Sequence, residues 1–209
     1  MFGENEILKF EESNEVPEMI MPFVRQSILV LPGENEEEYL DMMSLLIEDL
    51  DPQENIEWLC VIDVASLWWE IQRYRGWKVA ILKANRADAV ADALYKSDPN
   101  YLLMGPQPAI QAQAKVDAEK WHKDDKHRGY LNVRLKEHGY NAQGINAHAF
   151  VLGLMPLAQV ERFLSSARNQ VNVILRELNF RREFSRRAGE AIRKRLAEMD
   201  NEVKQIAAE

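Results

Sequence analysis

PLAQVERFLSSARNQVNVILREL, running from Pro156 to Leu178, sets Leu157, Val160, Leu164, Ala167, Val171, Ile174 and Leu178 alternately three and four residues apart. That a/d spacing predicts a helix with one narrow apolar stripe, which must lie against another helix. Pro156 suits its first turn, where the amide hydrogen it lacks would have no helical partner. The register then shifts and resumes as Phe184, Ala188, Ile192, Leu196, Met199, Val203 and Ile206. The expected helix, 156–206, is roughly 75 Å long at 1.5 Å per residue.

A cover for this stripe is found upstream, over 52–95. Ile56, Cys60, Asp63/Val64, Leu67, Ile71, Tyr74, Lys78 and Ile81 advance by about seven residues per two turns, the charged members making the seam imperfect. Asp51 is expected to cap this helix, with Pro52 at its first position and Glu54 closing a capping box. Gly76 weakens it by about 1 kcal/mol relative to alanine. A shorter helix over 36–50 has Asn35 as N-cap with Glu38 three residues on, and Glu36, Glu37 and Glu38 at the positive end of its dipole. Its inward face is Tyr39, Met42, Met43, Leu46 and Leu50.

The expected fold is therefore all-α: a long antiparallel helical hairpin of coiled-coil type, with an N-terminal arm and an irregular helical middle. The arm is 1–30, where Glu11, Glu12, Glu15 and Glu18 mix with Val16, Pro17, Met19, Ile20 and Pro22, as suits an extended segment. The helical body is 31–155, with 97–155 as a middle insertion. The C-terminal helix occupies 156–209. In the middle, Asp98-Pro99-Asn100 and Gly105-Pro106-Gln107-Pro108 read as turns. Helices are expected near 109–126 and 129–138, with 140–153 irregular.

Composition narrows the function classes. In 209 residues, 46% are hydrophobic and 29% charged, the balance of a folded chain. The one cysteine, Cys60, excludes a disulfide framework and a multi-cysteine zinc site, and fits a reducing cytoplasm. The acidic start, Met-Phe-Gly-Glu-Asn-Glu, does not read as an export signal. The segment His138–Val160 lacks Asp, Glu, Lys and Arg, but its histidines, asparagines and Pro156 argue against a membrane span. Net charge is −8, yet residues 1–60 hold sixteen acids and two bases (−14), leaving +6 on the remainder. Such ends can attract within one molecule or between two copies.

Leu31-Pro32-Gly33-Glu34-Asn35, Pro52 to Glu57 with Trp68 and Arg73-Tyr74-Arg75, then Val160-Glu161-Arg162-Phe163 and Arg176-Glu177-Leu178, together resemble a large family of uncharacterised bacterial helical proteins. That family has an LPGE segment followed by a long helix bearing tryptophan and arginine. Some of its members, described as hypothetical proteins, lie near mobile elements. The resemblance covers about half the chain and implies neither a catalytic residue nor a cofactor.

No residue constellation reads as an active site, so a non-enzymatic role is expected. His122 and His127, with Asp124 and Asp125 between them, are five residues apart, unlike the i, i+4 pair of a zinc helix. Flanking Lys123, Lys126 and Arg128 would repel a cation, and the roles of His138 and His148 are open. Cys60 falls on an apolar series, as a core thiol would. No serine nucleophile elbow, phosphate loop or dinucleotide fingerprint is present.

Two surfaces remain as candidates. The basic run Arg181, Arg182, Arg186, Arg187, Arg193, Lys194 and Arg195 lies in a segment (176–195) with eight bases and three acids, an excess of five. It could neutralise phosphates, making a nucleic-acid-binding accessory protein the alternative reading. The first reading is an interaction or scaffold protein that self-associates or docks a protein partner. Its expected contacts are Trp68, Trp69, Phe184, Ile192, Leu196, Met199 and Val203. Adjacent Trp68 and Trp69 point about 100° apart, so both cannot face one seam. The last helix also outruns its 44-residue cover. Ala149–Met155 is expected as a buried link into that helix, or otherwise an apolar docking loop.

Overall fold

In the computed structural model, which describes residues 4–28 and 30–206 (side chains of 6–28 and 30–199), the protein is all-α, with no strand among the described residues. In chain order the helices are α1 (Glu4–Ser13), α2 (Met21–Ser27), α3 (Glu36–Leu50), α4 (Asn55–Lys96), α5 (Pro99–Met104), α6 (Pro108–Lys123), α7 (Asp125–Glu137), α8 (Ala142–Leu152) and α9 (Leu154–Ile206). None is long and apolar enough to cross a membrane. The chain folds into two compact units whose division cuts across both long helices, where the sequence suggested boundaries at 30 and 155. The first unit is Met1–Ile71 with Ser166–Glu209; the second is Gln72–Ser165.

In the first unit, the segment expected as an extended arm is helical. α1 stops where Glu15 takes a left-handed conformation (φ 50°) and Val16 N–H donates to the Glu11 carbonyl. This is a helix stop usually made by glycine. Pro22 sits in the first turn of α2, where its missing N–H does no harm. Phe10, Val16, Ile20, Val24 and Ile28 pack with Tyr39, Met43 and Ile47 of α3 and Trp58, Val61, Ile62 and Ala65 of α4. Inside this unit Glu11 is buried and receives two 2.8 Å hydrogen bonds from Arg25. A buried carboxylate is tolerable only with such a bidentate partner.

The α3 N-cap is as expected: Asn35 Oδ1 accepts from Glu37 N at 3.0 Å, while Glu38 meets the Asn35 amide instead of a backbone N–H. The expected cap of α4 is not. Asp51 lies in the left-handed region (φ 42°) and closes α3, its N–H donating to the Ile47 carbonyl. A residue turned that way cannot also start the next helix. The Glu54 carbonyl therefore accepts the first α4 amides, from Glu57 and Trp58, and Glu57 Oε2 accepts from Gln53 N at 2.8 Å. In α9, Ala167, Val171 and Leu178 are buried at the spacing read from the sequence.

The second unit holds the remainder of α4, the middle region, and the start of α9. There α4 and α9 run antiparallel: Tyr74 stacks near Phe163 (5.8 Å), and Lys78 reaches Glu161 at 2.5 Å. Leu157, Val160 and Leu164 are buried. α5 begins where a turn was expected, because Asp98 caps it (accepting from Asn100 N at 2.9 Å) and Pro99 fits its first turn. Asp124 both ends α6 and caps α7. The glycine- and asparagine-rich 140–153 contains α8, started by Asn141 Oδ1 accepting from Gly144 N at 2.7 Å. Core residues here are Val90, Ala93 and Leu94 with Trp121, Leu131, Leu135 and Ile145.

Gly153, between α8 and α9, is required by space and not by backbone angle (φ −88°). A Cβ there would lie 2.8 Å from Asn85 Nδ2 and 3.0 Å from Ile81 Cγ2. Asn85 is itself held by its bond to the Ile81 carbonyl (2.9 Å). Gly153→Ala is expected to destabilise the protein by about 1–3 kcal/mol through overpacking, read as a lowered urea midpoint. The same change at Gly76, which has nothing within 4 Å of its Cβ position, is expected to be neutral or stabilising.

Candidate interaction surfaces

Up to Arg182, α9 is tied to its own unit. The Arg182 guanidinium donates to both oxygens of buried Glu57 (Nε–Oε1 2.8 Å, Nη2–Oε2 2.9 Å) and to the Leu50 and Asp51 carbonyls at 2.6 and 3.2 Å. It thus bonds carbonyls at the end of α3 while neutralising the carboxylate at the start of α4. The Arg182 bonds hold the Glu57 carboxyl below its usual range, overcoming the opposing push of desolvation, and the pairing raises Arg182 in turn. The sequence places Arg182 in the basic stripe, but its guanidinium donors are engaged by Glu57, Leu50 and Asp51 and are not turned to a phosphate.

The other six basic residues are exposed. Arg181 pairs with Glu177, Arg186 with Glu190 and Arg187 with Glu183, each one helical turn away. Exposed pairs of this kind contribute about 0.3–0.5 kcal/mol and offset the field an approaching phosphate would meet. Arg193, Lys194 and Arg195 have no ion pair among the described residues.

Beyond Arg182 the apolar stripe continues without cover. Leu178 is 1% exposed; Leu196, five turns on and on the same helical face, is 56% exposed. Ile192 and Met199 fall within about 60° of that face and are also open, whereas Phe184 points about 120° away. The side chain of Val203 lies outside the described residues.

Trp69 is half-buried and has partners within the first unit. Its indole N–H donates to Glu34 Oε2 at 2.9 Å, and its ring meets Tyr39 edge-on at 5.5 Å. Trp68 is half-buried. The apolar link 149–155 buries only Ala149 and Gly153; Phe150, Val151, Leu152, Leu154 and Met155 are exposed, because α8 turns just one face to the core.

Two of the four histidines make separate local contacts. His148 Nε2 lies 3.1 Å from Asp92, and His138 Nδ1 lies 3.0 Å from the Arg134 carbonyl. Among the described residues no three of His, Cys, Asp or Glu are placed to hold a metal. Burial, then nearby Asp63, pushes the Cys60 thiol pKa up, away from nucleophilic use. No family model, curated protein or solved structure matches the chain.

Proposed function

We propose that the protein is a non-enzymatic interaction protein that self-associates through the uncovered end of α9, two copies pairing antiparallel about Leu196. The observation that carries this is the persistence of one apolar face from buried Leu178 to exposed Ile192, Leu196 and Met199, past the Arg182–Glu57 contact. An amphipathic helix is stable in isolation only when that face is covered.

Charge favours a second copy and sets its direction. Residues 186–195 carry five bases and one acid, whereas 196–203 carry three acids and no base. A parallel pair would set like blocks side by side. An antiparallel pair sets Arg193–Arg195 of each copy near Glu198–Glu202 of the other and matches Ile192 with Met199. The nucleic-acid reading has less support, since Arg182 is engaged and three of its companions pair with neighbouring acids.

Cysteine cross-linking tests the pairing. In a Cys60→Ala background, Ile192→Cys and Met199→Cys chains mixed under oxidation are expected to give mainly the mixed disulfide. Predominant Ile192-to-Ile192 linkage would indicate a parallel pair, and absence of any linkage would remove self-association.

A further inference from the structure

Within the second unit, Arg86 of α4 has no ion pair among the described residues. Its Nε is buried without a hydrogen-bond partner, and its guanidinium carbon lies 5.0 Å from the Trp121 ring centroid. Stacking on an indole supports a guanidinium but supplies no acceptor. A buried donor of this kind is costly unless something completes it.

What it borders is a cavity of about 310 Å³, within the size range of small-molecule sites. The polar lining comes from Arg86, Arg128, Asn132, Lys136, Tyr140 and Asn141, with no aspartate or glutamate among the lining residues. Arg128 has its own partners: Asp125 at 2.8 Å and the Trp121 and His122 carbonyls. Asn132 gives its oxygen to the Trp121 indole (2.9 Å), so what it offers the cavity is its NH2 donor. Asn141 and Ala142 bring the first turn of the eleven-residue α8, the positive end of its dipole, to the same wall. Trp121, Leu135 and Ile145 make the remainder apolar.

Positive charge, donors and no acid, around an apolar floor, define the complementary ligand. We propose that this cavity binds a small organic oxyanion, a phosphate ester or carboxylate with a flat or apolar remainder, its anionic end held by Arg86 and Lys136. Arg86 supplies a preformed fork for two oxygens, Lys136 a mobile point charge at the rim, and Leu135 and Ile145 cover the remainder.

Titration calorimetry of the full chain with phenyl phosphate, benzoate and inorganic phosphate tests this. Saturable binding of phenyl phosphate or benzoate, tighter than inorganic phosphate and weakened by added salt, is the expected result. Which of the two organic probes binds identifies the oxyanion. Arg86→Met and Lys136→Met are each expected to weaken it about tenfold or more, the loss of a charged hydrogen bond. Should Arg86→Met lose its helical circular dichroism, the exposed Lys136→Met decides alone. No saturation by any probe at about 10 mM, or affinity unchanged in the folded variants, overturns the proposal.

Discussion

Arg182→Ala is expected to lower stability by about 2–4 kcal/mol, the largest effect of any single exposed-face substitution in α9. The side chain it removes does three things at once. It neutralises Glu57, whose side chain is 8% exposed, and it supplies donors to the Leu50 and Asp51 carbonyls. Without it, the Glu57 carboxylate is left with the backbone amides of Gln53 and Glu54. The pH dependence follows from the direction of the Glu57 shift. A carboxylate whose folded pKa is depressed below its ordinary 4.5 stabilises the fold above that value, and this contribution is lost as pH falls through the folded pKa. The gap between native protein and variant should therefore be full near pH 7 and shrink at about pH 3. Urea unfolding at the two pH values measures it, and Glu57→Gln in the Arg182→Ala background should recover part of the loss. A gap below about 0.5 kcal/mol, or one independent of pH, contradicts the role given to this pair.

The second large effect is on association. Ile192→Glu with Leu196→Glu is expected to weaken pairing of two copies by about 1000-fold or more, because four carboxylates would enter the apolar seam. The same double change should alter the stability of the isolated chain by no more than about 0.5 kcal/mol per site, since both side chains are already in solvent. Leu178→Ala makes the contrast. On the same face but buried, it should cost about 2–5 kcal/mol of folding stability. Size-exclusion chromatography across a dilution series, with urea unfolding beside it, separates the two kinds of effect. Equal behaviour of the substitutions at 178 and 196 would contradict the distinction between a covered and an open stretch of α9.

The parts of the fold legible in the sequence are those where local pattern and tertiary demand coincide. From Leu157 to Leu178, six of the seven positions its period names are buried and Ile174 is partly so, because one face is turned to the core. α4 was harder. In the first unit its Trp58, Val61, Ile62 and Ala65 face the α1–α3 cluster, so its apolar residues wrap around it and a single seam describes it poorly. The N-terminal helices were hidden because α1 ends on a left-handed Glu15 where glycine is the usual signal, and because prolines 17 and 22 suggested extended chain. One of those prolines in fact sits in the first turn of α2. Asp51 misled in the same way, closing α3 where it was expected to open α4.

Of the proposed interaction surface, Ile192, Leu196 and Met199 were readable from spacing alone, and their openness was expected from the shorter helix available to cover them. Arg182 was not. Its role depends on Glu57, 125 residues earlier, and one arginine among many carries no mark of that partner. The Arg86 cavity was equally invisible, since α4, α6, α7 and α8 each contribute only a residue or a few to its lining.

The most direct measurement is sedimentation equilibrium of the unmodified full chain over a wide concentration range. A pairing helix end predicts a mass that rises from the 24.2 kDa of one chain toward twice that value, with the Ile192→Glu, Leu196→Glu chain remaining at the lower mass throughout. A single 24.2 kDa species for the unmodified protein at every concentration would contradict it.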